Sequence, residues 1–137
     1  MPPTSTSPVP TKTNLVVAYK VATHLLLVLI LVQAAMAGQI VYEDELQTIH
    51  GILGNVSFLL GVASLVLAVV CRAPKTAIGV AGVVVVLLVV QIALGYSAGN
   101  LTSSEETAGA WHIPNGVLLF GLSLWQVTLV RRMATSE

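Results

Sequence analysis

Charge is what this chain has least of: Asp, Glu, Lys and Arg together make up 9% of its 137 residues. Soluble domains carry roughly 25%, so this sequence cannot build a water-facing surface and its preferred solvent is lipid. The apolar segments contain no Asp or Glu, which argues against a proton-coupled exporter, because such a carrier needs an intramembrane acid to exchange protons against a cation. Cysteine occurs once, as Cys71, so no intramolecular disulfide can form, and its place at the end of an apolar run suits a small apolar residue. The few basic residues form no patch of the kind that holds nucleic acid. Strand alternation is missing too, which excludes a barrel.

What the chain does have is apolar length. Hydrophobic residues make up 55% of it and gather in four runs, at about 15–37, 48–71, 76–98 and 109–130. Each approaches the roughly 20 residues a helix needs to cross a bilayer. A backbone in hydrocarbon must satisfy its own hydrogen bonds, and the connections are short, so the sequence predicts an all-α integral membrane four-helix bundle over residues 14–132. Residues 1–13, "MPPTSTSPVPTKT", are rich in Pro, Ser and Thr and read as a disordered cytoplasmic tail, and 133–137 read as a second, short one.

Lys12 and Lys20, Arg72 and Lys75, and Arg131 and Arg132 all fall on one side of this scheme. Glu43, Asp44, Glu45, Glu105 and Glu106 fall in the two loops of the other side. By the positive-inside rule both termini are cytoplasmic and both acidic loops face outward. The expected setting is a cell membrane, crossed several times, with the bilayer as principal partner, a membrane-protein partner or a homo-oligomer as further ones, and no nucleic acid. "NLT" at 100–102 fits an outward glycosylation sequon, whereas "NVS" at 55–57 lies inside a span. Gly79 and Gly82 of the third span are expected to let it pack closely against Gly61, Ser64 and Ala68 of the second.

The first span has a second reading. "KVATHLLLVLILVQAAMAG" has a positive start, an apolar stretch and an A-x-A-like "AMA" before Gly38, as a cleaved signal peptide would. An internal repeat speaks against cleavage. "LILVQAAMAG" at 29–38 matches "LLVVQIALGY" at 87–96, and each is followed by an acidic loop and a histidine-bearing apolar run. A parallel repeat of two two-helix units makes Gln33 equivalent to Gln91, and His50 to His112.

Helix rise places His50 and His112 at one depth, close to the outer boundary. Gln33 and Gln91 lie near the outer ends of the first and third spans, and Asn55 and Asn115 about one turn below the histidines. Intramembrane polar groups cost free energy unless they find partners inside the bundle, so their convergence predicts either a hydrogen-bonded packing layer or a site. Two features favour a site. The histidines come from non-adjacent helices that can face each other across the bundle, and each is followed at four residues by a glycine on the same face, Gly54 and Gly116. A flat macrocycle ligated from both sides by imidazoles needs small residues one turn from its ligands. Histidine is an axial ligand of haem, and its second ring nitrogen needs an outer acceptor, for which Gln33 and Gln91 are the candidates. Two histidines alone do not complete a tetrahedral zinc site. His24, roughly 15–20 Å from this layer by helix rise, is expected to make an interhelical hydrogen bond instead.

The most specific stretches are "IHGILG" at 49–54 and "HIPNG" at 112–116. Over about residues 25–130 the order of these elements resembles small, uncharacterised four-span bacterial membrane proteins, and one half of haem A synthase. The resemblance implies a bacterial inner membrane and a haem held between histidines of the second and fourth helices, here His50 and His112. Gly51 stands where that pattern has arginine and Gln47 where it has glutamate. Without the glutamate a catalytic role loses its acid, and without the arginine the haem propionates lose a partner. The expectation is therefore a small redox or haem-handling protein binding one b-type haem, rather than a turnover enzyme. The alternative is a cofactor-free membrane scaffold or accessory subunit of a larger complex.

Overall fold

The computed structural model describes residues 12–39, 44–98 and 105–133. Four helices account for nearly all of them: α1 (Lys12–Ala37), α2 (Asp44–Val70), α3 (Lys75–Ala98) and α4 (Glu105–Met133). The expected 1–11 portion of the N-terminal tail, Glu43, the sequon at 100–102 and residues 134–137 lie outside the described residues. α1 takes in Lys12 and Thr13, and α4 takes in Met133, so those residues read as tail are helical. Asp44 and Glu105 likewise open α2 and α4 instead of lying in loops, at the helix end where negative charge is favoured.

Composition and length make all four helices apolar and long enough to cross a membrane. The shortest, α3, has 24 residues and spans about 36 Å at 1.5 Å per residue. Its valine-rich sequence would suit a strand in water. In lipid an open strand leaves backbone groups unsatisfied, whereas a helix pairs them within the segment.

Each helix packs on its two neighbours in the cyclic order α1, α2, α3, α4, and among the described residues the backbones of α1 and α3, or of α2 and α4, do not approach one another. α2 and α4 therefore stand on a diagonal. The chain passes from α2 to α3 through a tight turn in which Arg72 N donates to Val69 O at 3.0 Å and Ala73 N to Ala68 O at 2.9 Å. This is a Schellman closure, with Arg72 at φ 54° in the left-handed position that glycine usually fills. All six basic residues sit at this end of the bundle or within the turns next to it.

Two buried clusters fill the axis. Leu26, Ile30, Val80, Val84, Leu88 and Leu119 form one; Val16, Tyr19, Ala68, Cys71, Ala77, Ala81 and Val130 belong to the other, nearer the basic end. Val17, Val21, Leu25 and Val28 of α1 and Val83, Val86 and Val89 of α3 are half exposed, so apolar residues cover the outside as well as the core. That is the pattern of helices immersed in hydrocarbon.

The α2 and α3 packing differs from the expectation in one respect. Gly61, Ser64 and Ala68 are buried as anticipated, and a Cβ on Gly61 would lie 2.5 Å from Leu88 Cδ1. Around Gly79 and Gly82, however, a Cβ would meet nothing within 4 Å. α3 turns Ala77, Val80, Ala81, Val84 and Leu88 inward, and that helical stripe leaves both glycines off the contact face.

Candidate functional site

The diagonal pair α2 and α4 brings His50 and His112 together. Their ring centroids are 6.1 Å apart, with 52° between the ring planes. Both side chains are half-buried, and the Nδ1 atom of each is fully buried without a hydrogen-bond partner.

Gln33 and Gln91 reach the same layer from the other diagonal. Gln33 Nε2 donates to the backbone carbonyl of His50 at 3.0 Å, and its Oε1 is buried without a partner. Gln91 Oε1 accepts from Asn115 Nδ2 at 2.6 Å, and the same amide nitrogen donates to Leu87 O at 3.1 Å. The two glutamines therefore sit beside the histidines, but neither side-chain oxygen accepts from an imidazole in this structure.

The paired glycines have a definite neighbour. A Cβ on Gly54 would lie 3.2 Å from Gln33 Nε2, and one on Gly116 would lie 3.3 Å from Gln91 Nε2. Each notch is occupied by a glutamine amide, the movable end of a flexible side chain. A third glycine went unread in the sequence: a Cβ on Gly95 of α3 would lie 3.2 Å from His112 Cε1. Its signal was present, since Gly95 follows Gln91 at the same four-residue spacing that separates each histidine from its glycine.

Two polar residues lie elsewhere than expected. Asn55 is exposed and donates to Tyr96 Oη at 3.3 Å. It follows His50 by five residues, about 140° around the helix, whereas Asn115 follows His112 by three and shares its side. His24 makes no interhelical bond of the kind expected; its Nδ1 donates to Lys20 O at 2.6 Å, within α1. A polar side chain inside a helix can satisfy itself on the carbonyl four residues back, with no partner from another helix.

Pro114 lies inside α4 two residues after His112. It has no N–H, so the Ala110 carbonyl loses its helical donor next to the site. Among the described residues no group of three or more His, Cys, Asp and Glu could hold a metal ion. Comparison with protein-family models, with curated proteins and with solved structures gave no match.

Proposed function

We propose that this protein binds one b-type haem between His50 and His112, as a small redox or haem-handling membrane protein. The 6.1 Å separation of the imidazole centroids across the bundle carries the reading. An imidazole nitrogen binds a first-row metal at about 2.0–2.1 Å, so rings this close could both reach one metal ion. The buried, unpartnered ring nitrogens supply the donor chemistry. A metal supplied within a macrocycle needs only two ligands from the protein, the number that the two histidines offer.

The chain's own residues would act as follows. His50 and His112 ligate. Gly54 and Gly116 leave room for a ring once the Gln33 and Gln91 amides swing aside, and Gly95 gives the His112 imidazole its space. A haem so held supplies one-electron redox chemistry. The apolar belt of Leu26, Ile30, Val84, Leu88 and Leu119 keeps the site closed towards the basic end.

The finer architecture belongs to the same proposal: a parallel repeat of two two-helix units, resembling half of haem A synthase, with both termini cytoplasmic in a bacterial inner membrane. Burial supports the repeat. A constant sequence offset pairs the buried α1 residues Tyr19, Ala22, Leu26 and Ile30 with the buried α3 residues Ala77, Val80, Val84 and Leu88. A second constant offset pairs Ser57, Ser64 and Ala68 of α2 with Leu119, Gln126 and Val130 of α4. Segregation of the basic residues supports the orientation. Reporters fused to either terminus should read as cytoplasmic, and a C-terminus outside the cytoplasm would overturn it.

The haem is tested by the visible spectrum of detergent-purified protein expressed with haem available. Wild type should show redox-reversible low-spin bands. His50→Ala and His112→Ala should each abolish them or convert them to a high-spin spectrum, while His24→Ala leaves them intact. Colourless wild type after haem-replete expression and direct reconstitution would refute the reading. The cofactor-free scaffold would then stand in front, with the Gln33 and Asn115 hydrogen bonds as interhelical ties.

A further inference from the structure

The half of the bundle nearer the basic residues holds a second polar group that the histidine site does not use. Tyr19 of α1, Ser64 of α2, and Ser123 and Gln126 of α4 are each no more than 1% exposed. Gln126 Nε2 donates to Tyr19 Oη at 3.4 Å. Ser64 Oγ, Ser123 Oγ and Gln126 Oε1, by contrast, are fully buried with no partner in the protein.

These three oxygens come from the two diagonal helices and share one region of the axis. Ser64 follows His50 by the same number of residues as Gln126 follows His112, and the two histidine rings meet, so descending about four turns on each helix brings Ser64 and Gln126 to one level. Ser123 lies one turn from Gln126 on the same face of α4. On the α3 side the wall is formed by Ala77 and Ala81, both fully buried in the same cluster as Tyr19. Each carries a single methyl group and offers these oxygens no polar partner.

The chemistry limits what these oxygens can hold. Two hydroxyls can each donate and accept, and the amide oxygen only accepts. No carboxylate is among them, so a metal cation would enter hydrocarbon without charge compensation. Near-complete burial admits only an occupant of water's size. A buried water makes two to four hydrogen bonds, typically to otherwise unsatisfied polar groups, and these oxygens supply that number. We infer that Ser64, Ser123 and Gln126 form an internal hydration site, holding water sealed at the bundle axis near the basic end. The water donates to Gln126 Oε1 and accepts from a serine hydroxyl. The belt of Leu26, Ile30, Val84, Leu88 and Leu119 separates it from the histidine layer, so the hydration does not continue through the bundle as a proton-conducting chain.

The test uses the full chain in detergent and the double variant Ser64→Ala/Ser123→Ala. If water bridges the site, removing both hydroxyls takes away its partners, and the midpoint of thermal unfolding falls by several degrees. If the site is dry, or the serines bond back to their own helix, alanine removes a desolvated hydroxyl at no loss, and an unchanged or higher midpoint overturns the inference. Infrared spectra before and after exchange into ¹⁸O-water give an independent reading, because serine oxygens do not exchange. Wild type should show an internal O–H stretch that shifts on exchange and is missing from the double variant. Wild type without such a band overturns the inference whatever the unfolding midpoint does.

Discussion

Replacing Gly61 by alanine adds one methyl group, and the structure sets what that methyl meets. Its Cβ would lie 2.5 Å from Leu88 Cδ1, with Val85 Cγ2 at 3.8 Å and Leu26 Cδ2 at 4.0 Å beyond. Leu88 is the flexible end of the contact, but it is only 3% exposed and belongs to the central cluster with Leu26, Val84 and Leu119. Its burial restricts how far it can retreat. Overpacking of this kind costs about 1–3 kcal/mol. Alanine returns roughly 0.8–1 kcal/mol of helix propensity over glycine, which leaves a net destabilisation of about 0–2 kcal/mol. Gly79→Ala and Gly82→Ala are the controls, because their new methyl groups meet nothing within 4 Å. They should keep the propensity gain and stabilise by about 0.5–1 kcal/mol. Circular dichroism melting in a single detergent reads all three. Leu88→Val should recover part of the Gly61→Ala loss in the double variant, since it shortens the clashing side chain. Gly61→Ala melting at or above the two controls would refute the packing of α2 on α3 described here.

The glycine notches of the histidine layer predict that Gly54→Leu and Gly116→Leu will expel the Gln33 and Gln91 amides and weaken haem retention without removing a ligand; haem loss to apomyoglobin measures this, and retention equal to wild type would sink the notch role. Asn115→Leu removes both donors to Leu87 O and Gln91 Oε1 and should destabilise the bundle by about 1–3 kcal/mol, the cost of leaving buried acceptors unpaired. Asn55→Leu, at an exposed position, should change it by less than about 0.5 kcal/mol, and equal losses would contradict the assignment of Asn115 alone to the interior. Arg72→Gly relieves a left-handed residue and should raise stability by about 0.5–1 kcal/mol after the entropic cost of glycine. A lower melting temperature would mean that Arg72 contributes more through its side chain than its backbone conformation costs.

Helix number and the apolar core of each helix were legible in the sequence alone, although α1, α2 and α4 begin before the expected spans. They follow from one-dimensional quantities: the apolar length needed to cross hydrocarbon, the rise of 1.5 Å per residue, and the requirement that backbone hydrogen bonds close within each segment. For the same reason the common level of His50 and His112 was legible before any coordinates. The face on which each residue lies was decided only by tertiary structure. In water an amphipathic stripe marks the inward side of a helix, but here apolar residues cover the lipid side and the core alike, so composition carries no such mark. This is why Gly79 and Gly82 were assigned to a contact they do not make, why Asn55 was placed in an interior that only Asn115 enters, and why Gly95 was not connected with His112. The diagonal placement of α2 and α4 was likewise settled by packing, and that placement turns two histidines at equal depth into two imidazoles 6.1 Å apart.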